Sequence, residues 1–293
     1  MVGIGQITTR VAELIRSALP FAIVDNGTNF DGTPRGRSTF SRLVAYNNVQ
    51  EAINAGWKQI KIAKGRYAGF VIGSTQGDIL IEGQGKYAET IIDGGITKNA
   101  IQINAAGVTV RDLQAVTTQD GGGAYFPIQV GDPSNNPYNV VIDSIRIPYS
   151  DGHGIYINHG SVIRISNCHI SNCDTYGIYI HASSGSSNQN EVIGCVIDGT
   201  LGAYCYNDAN GSHNLVRDNY FSGASGYTVN TDTTKLICDG NRMVGDATYG
   251  RALRVAGSSG FYSNNYITGW TIAYYYDTGS GNTYTNNKNA AAN

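Results

Sequence analysis

The chain has 293 residues, of which 41% are hydrophobic and only 14% charged, with 20 basic and 22 acidic side chains and a net charge of −2. That composition supplies a core for one large or two small domains, and it lacks the basic footprint expected of a partner for nucleic acid or an anionic membrane. No apolar run approaches the ~20 residues of a membrane helix, and the amino terminus lacks the basic start, apolar block and cleavage site of a signal peptide.

At the start of the chain, Ile7, Val11, Leu14, Ile15 and Leu19 fall on one face of a helix predicted over residues 4–19. Such a helix lids the open end of a solenoid or docks on a neighbouring subunit. The stretch DNGTNFDGTPRGRSTFSR then reads as a connecting arm, so residues 1–44 form an entry segment. Asn48 caps a short helix over 49–55, Gly56 ends it, and Ile60 and Ile62 begin a strand.

Residues 45–289 form a repeat. The segments AIQIN, PIQVG, GIYIN, GIYIH, AYCYN, YTVN, ALRVA and TIAYYY recur with starts 19 to 27 residues apart, the spacing of a solenoid. Each is followed by a second segment, and the fourth column of these reads Leu113, Ile145, Cys168, Cys195, Asn219, Asn241, Asn265, Asn287. Amides at equivalent places in stacked coils, ~4.8 Å apart, hydrogen-bond along the stack. The sixth column stays apolar from Ala115 through Ile147, Ile170, Ile197, Phe221, Met243 and Ile267 until Asn289. Short alternating strands with Gly-rich turns exclude leucine-rich and helical repeats and predict an all-β, parallel β-helix. The last coil has no helical cap, so its strand edges are covered by the tail, including residues 290–293, or by a second subunit.

On these repeats the chain resembles the right-handed parallel β-helix proteins of pectate-lyase-like topology, which include polysaccharide lyases, hydrolases, epimerases and phage tailspikes. The entry segment NNVQEAINAGWKQIKIAKGRYAGFVI is similar to the helix, strand and turn that open such domains. The resemblance implies a single-stranded right-handed solenoid, here with an amino-terminal amphipathic capping helix.

Strand alternation turns Ile155, Ile157, Ile178, Ile180, Ala203 and Cys205 inward. It leaves two outer ladders: Gln102, Gln129, Tyr156, Tyr179, Tyr204, Thr228 and Arg254, and beside them Asn104, Gly131, Asn158, His181, Tyr206, Asn230 and Ala256. All five histidines, 153, 159, 169, 181 and 213, fall in the tyrosine-bearing coils. Tyr156, Asn158, His159, Tyr179, His181, Tyr204 and Tyr206 therefore form a candidate glycan-binding face, although tyrosine ladders also stabilise sheets on their own.

Asp151, His153, Tyr156, His159 and Asp174 make an acid/base-capable set. The GHG at 152–154 is similar to a motif of polygalacturonase-like hydrolases, and SDGHG to part of the alginate-epimerase pattern. The paired-Asp motif of the hydrolases is missing. By resemblance to pectate lyases, Asp143 and Arg146 are candidates for a calcium-assisted site, with no further carboxylates clustered around them. The catalytic candidates are Asp151, His153 and Arg164, or Arg146 in its place. His153 and His159 lie at opposite ends of one strand and cannot share a metal ion, so no metal or other cofactor is expected, calcium being implied only for a lyase. The five cysteines show no CxxC spacing and read as buried thiols.

Two functions fit. The first is a structural or adhesion protein, a virion spike, fibre or surface-filament subunit, that presents a glycan-binding or assembly face and self-associates through its solenoid ends or amino-terminal helix. The second is a polysaccharide lyase or glycoside hydrolase. With only five Glu in the chain, the first is favoured, placing the protein on a virion or extracellular surface. Asn26-Gly-Thr and Asn210-Gly-Ser are glycosylation sequons.

Overall fold

The computed structural model describes residues 20–27, 45–85, 89–117, 125–181, 187–199, 204–209, 211–245, 251–269 and 275–290. The amphipathic segment 4–19, most of the arm, Asn210 and the last three residues lie outside them. The described chain is an all-β parallel solenoid whose helix is a single short one, Val49–Asn54. Asn48 sits in extended conformation ahead of it and its side chain accepts the Glu51 N–H at 2.9 Å. The Glu51 carboxylate in turn accepts the Asn47 N–H at 3.1 Å, a reciprocal N-terminal cap.

Two sheets wind together. One has 9 strands, and the other has 19 and covers two sides of each coil. The strands Thr109–Val116 and Tyr138–Ile147 are long enough to pair in both ladders of the larger sheet. Pairing is parallel and in register from coil to coil, as in Val130↔Ile157 and Ile157↔Ile180. The ladder begins earlier than the repeat does: Ala22–Val24, within the predicted entry segment, pairs with Ile60–Ile62.

The core is a set of aliphatic stacks. Ile101, Ile103, Ile128, Val130, Ile155, Ile157, Ile178 and Ile180 are fully buried along the 9-stranded sheet, each worth about 1.5–3 kcal/mol of burial. Opposite them runs the predicted apolar column, paired Ile147↔Ile170, Ile170↔Ile197, Ile197↔Phe221, Phe221↔Met243 and Met243↔Ile267, with Ile267 against exposed Asn289.

The amide column is a continuous ladder. Asn219, Asn241 and Asn265 each donate from Nδ2 to the Oδ1 of the next Asn at 3.0 Å. The same Oδ1 atoms accept the backbone N–H of the preceding ladder residue, from Cys195 onward, at 2.8–3.0 Å. Each Nδ2 also reaches back one coil to a carbonyl: Val192, Val216, Cys238 and Tyr262, all at 2.9 Å. The thiols above the amides use the same acceptor position more weakly, Cys168 to Ile142 O at 3.7 Å and Cys195 to Ile165 O at 3.8 Å. A column that changes from thiol to amide thus keeps its bond to the carbonyl one coil back and gains the amide-to-amide bonds. Ahead of every ladder position sits a left-handed residue: Asn167, Gly194, Asp218, Gly240, Asn264 and Asn286 all have φ between 53° and 67°. Asn, Asp and Gly tolerate that region best.

A second amide column, not seen in the sequence, occupies another corner. Asn190 Oδ1 accepts Ile163 N–H at 2.9 Å, Asn214 Oδ1 accepts Asn190 N–H at 2.8 Å, and Asn282 Oδ1 accepts Gly260 N–H at 2.8 Å. Cys168, Cys173, Cys195 and Cys238 are buried free thiols, as predicted. Burial pushes the Cys168 thiol well up and the Cys238 thiol up to about 12.

Candidate ligand-binding face

The outer face of the 9-stranded sheet begins as predicted. Gln102, Gln129, Tyr156 and Tyr179 are successive register partners. The next coil corrects the expectation. Tyr179 pairs with Asn207, not Tyr204, and Ile178 pairs with Tyr206. Tyr206 therefore points into the core, where it is 1% exposed, and the outer column continues through Asn207, Asn230 and Arg254 instead of Tyr204, Thr228 and Arg254. Thr228 is likewise buried. An aromatic ring fills the interior left by the shorter aliphatic chains, and its hydroxyl donates to Asp208 Oδ2 at 3.0 Å. The Tyr204 backbone pairs with Tyr176; its side chain lies outside the description, as do the side chain of Cys205 and all of Ala203.

His153 is one ring of a stack. It lies parallel between Phe126 (centroids 5.0 Å, 4°) and Tyr176 (4.8 Å, 14°), with Tyr179 edge-on at 4.8 Å. Its Nδ1 meets Thr175 Oγ1 at 2.6 Å. Burial, then the nearby His181, lowers its pKa to about 4, so at neutral pH the imidazole is uncharged. The glycine after it has a scaffold reason. A Cβ on Gly154 would come within 2.7 Å of Gly177 O and 2.6 Å of Ile170 Cγ2.

Tyr156 and Tyr179 stack at 5.5 Å, and the Tyr156 hydroxyl donates to Asn158 Oδ1 at 3.1 Å and meets His181 Nδ1 at 3.4 Å. Burial raises Tyr156, and burial with the adjacent Tyr156 and Tyr176 raises Tyr179 to about 12. Burial, then His159, lowers His181. Asn158 and His159 are 9% and 6% exposed, so among the described side chains of the predicted set the accessible ones are Tyr156, Tyr179 and His181. Because the rings face one another, they offer solvent mainly edges and hydroxyls.

Upstream, amides form an ordered array. Asn99 Nδ2 donates to Gln102 Oε1 at 2.6 Å and Gln129 Oε1 at 2.8 Å, its Oδ1 accepts Phe126 N–H at 2.7 Å, and Gln102 Nε2 donates to Asn104 Oδ1 at 2.8 Å. Downstream, Asn207 and Asn230 are covered at 6% exposure each, and Arg254 donates to Asn230 at 2.7 Å and Asp232 at 3.0 Å. Asn99 and Phe126 were missed in the sequence; their signal was a constant offset of three residues before Gln102 and Gln129, shared with His153 and Tyr176.

The catalytic candidates are not assembled on one face. Asp151 precedes the strand in a turn, half-buried, but Arg164 is on the 19-stranded sheet, exposed, with Glu191 at 3.9 Å. Asp143 and Arg146 belong to that other sheet too. Burial raises the Asp143 carboxyl, but hydrogen bonds from Ser166 (2.6 Å), Asn167 (2.9 Å) and Ser144 (3.1 Å) outweigh it and hold it below its ordinary value. Two further carboxylates lie on the coils before it. Glu82 and Asp112 flank Arg111 at 3.5 and 3.6 Å, and Arg111 is the register partner of Asp143. The guanidinium occupies the middle of this group, and among the described residues no three His, Cys, Asp or Glu converge to hold a metal ion.

This solenoid architecture defines a class, and comparison with known proteins agrees with it. The chain belongs to the right-handed β-helix family, whose "Right handed beta helix region" matches residues 54–221 and 128–289. No curated protein sequence matches it. Among solved structures it is similar to ORF18 of Geobacillus virus E2 (11% identity, TM-score 0.62, covering 96% of this chain and 64% of that one). It is also similar to the Escherichia coli protein ybhc (12%, 0.56, 94% and 85%) and to an alginate lyase from Paenibacillus (16%, 0.52, 83% and 96%). At these identities the likeness is one of fold.

Proposed function

We propose that the protein is a non-catalytic structural or adhesion β-helix that presents the face from Gln102 to Tyr179 to a glycan on a virion or extracellular surface. The observation that carries this reading is the state of His153. The residue best suited to proton transfer is stacked between two aromatic rings and kept neutral, with Arg164 on a different sheet. Glycoside hydrolysis needs two carboxyl groups across the scissile bond. The outward positions of the strands from Ile101–Ile103 to Tyr204–Ala209 bear no Asp or Glu. What the face offers is preorganised amides and phenol hydroxyls, which suit binding of sugar hydroxyls. The similarity to a viral protein and to a polysaccharide lyase is compatible with a place at a glycan-coated surface.

The test pairs a turnover assay with imaging. Purified protein incubated with a polysaccharide panel is expected to release neither reducing ends nor unsaturated products, and to form defined particles or filaments by electron microscopy. Turnover that disappears in His153→Ala would overturn the proposal in favour of the lyase or hydrolase.

A further inference from the structure

Resting on the glycan-binding reading above, we infer that the open face between Gln102 and Tyr179 selects an uncharged polysaccharide and rejects polyuronates. Gln102 and Gln129 are neutral amides, burial raises the Tyr156 and Tyr179 phenols further from ionisation, and His153 behind them is neutral. Of the flanking cations, Arg254 is held by Asn230 and Asp232, and Lys98, exposed next to Asn99 at one end of the face, donates to Gly69 O at 3.0 Å.

The edges of the face are acidic. Asp151 and Asp174 lie in the turns two residues before His153 and Tyr176, and Asp132 directly follows Gly131 on the opposite edge. Asp132 is turned inward on its own loop, accepting from Ser134 N–H at 2.8 Å and from the Asn135 amide at 2.9 Å. A polyuronate brings one carboxylate per sugar. Laid on this face, those carboxylates would lose water and, among the described residues, meet no guanidinium or ammonium group between Gln129 and Tyr179, the Lys98 ammonium lying at its end, and would approach Asp151 and Asp174.

An uncharged chain meets the opposite situation. Asn99 bridges Gln102 and Gln129 across neighbouring coils, so the amides are already fixed and little side-chain freedom is lost on binding. The coils repeat every ~4.8 Å, comparable to the length of one pyranose along a glycan chain. A polymer running parallel to the solenoid axis therefore meets equivalent columns at each sugar. With ring faces already stacked on one another, recognition falls to hydroxyl and amide hydrogen bonds, which read neutral sugars.

The experiment is affinity electrophoresis of the full chain in gels containing dextran, mannan, galactan, alginate or polygalacturonate. Retardation is expected in at least one neutral gel and in neither uronate gel, and it should weaken by about tenfold in Gln129→Ala, the loss of one to two good hydrogen bonds. Gln102→Ala repeats the test if Gln129→Ala does not fold. Stronger retardation by alginate or polygalacturonate would overturn the inference and leave the glycan reading standing. No retardation in any gel would overturn both. Undiminished retardation in both variants would remove the ligand from this face.

Discussion

The coils from Ile101 to Ile180 and those from Tyr206 to Tyr284 have the same backbone course and different interiors. The first set is filled by fully buried Ile and Val in register. In the second, Tyr206, Asp208, Asn214, Thr231, Thr233 and Tyr262 occupy the inside, with Asp208 0% exposed and bonded to the Tyr206 hydroxyl and to Asn214 Nδ2 at 2.7 Å. The first half is held by area removed from water, whereas the second adds to buried Val216, Phe221, Val229 and Leu253 a set of interior polar groups, of which Asp208 Oδ2 and Asn214 are hydrogen-bonded and the Tyr262 hydroxyl is not. A solenoid tolerates both fillings because each coil contacts only its neighbours.

This contrast is open to attack by substitution. The largest loss belongs to the aliphatic half: Ile157→Ala, between Val130 and Ile180, should cost about 4 kcal/mol in urea unfolding, as transfer and cavity terms add. In the polar half, Asn241→Leu should cost about 3 kcal/mol, since it strands the Asn219 N–H and the Val216 carbonyl. An unchanged melting midpoint in that variant would refute the ladder as a source of stability.

Asp208 sharpens the comparison through pH. Burial raises its pKa from 3.8 to about 6, although the hydrogen bonds from Asn214 and Tyr206 work the other way. The folded state thus prefers the neutral acid, so its contribution is fully present below about pH 4 and is lost as pH rises through 6, a swing of roughly 3 kcal/mol. Stability of the parent chain relative to Asp208→Asn, measured across pH 4–8, should fall by that amount, and a flat difference would contradict the burial. Tyr179→Ala should cost only about 1 kcal/mol, the worth of its ring contacts. The smallest effect, under about 0.5 kcal/mol, is expected for Arg164→Ala, since Arg164 is exposed and sits 3.9 Å from a partly exposed Glu191.

The same division decided what could be read beforehand. The amide and aliphatic columns were legible because side chains of one chemistry recur at one offset in every coil. The expectation for Tyr206 fails because YCYND admits two alternations, and taking tyrosine as the outer residue puts Tyr206 on the wrong side of the sheet. The column of Asn190, Asn214 and Asn282 stayed hidden because Leu236 and Gly260 interrupt it. Arg164 was grouped with His153 by nearness in the chain, yet the corner between them carries the backbone onto another sheet. The Ala22–Val24 strand gave no alternating run long enough to see.

The left-handed corner that precedes each ladder position makes the rod modular in length. Excising residues 219–240 would join Asp218 to Asn241, a corner of the same kind, and the Cys195 N–H would find the amide oxygen of Asn241 where it now finds that of Asn219. Coils of this sort can be gained or lost as whole rungs by duplication or deletion of gene segments, altering reach without redrawing the joint.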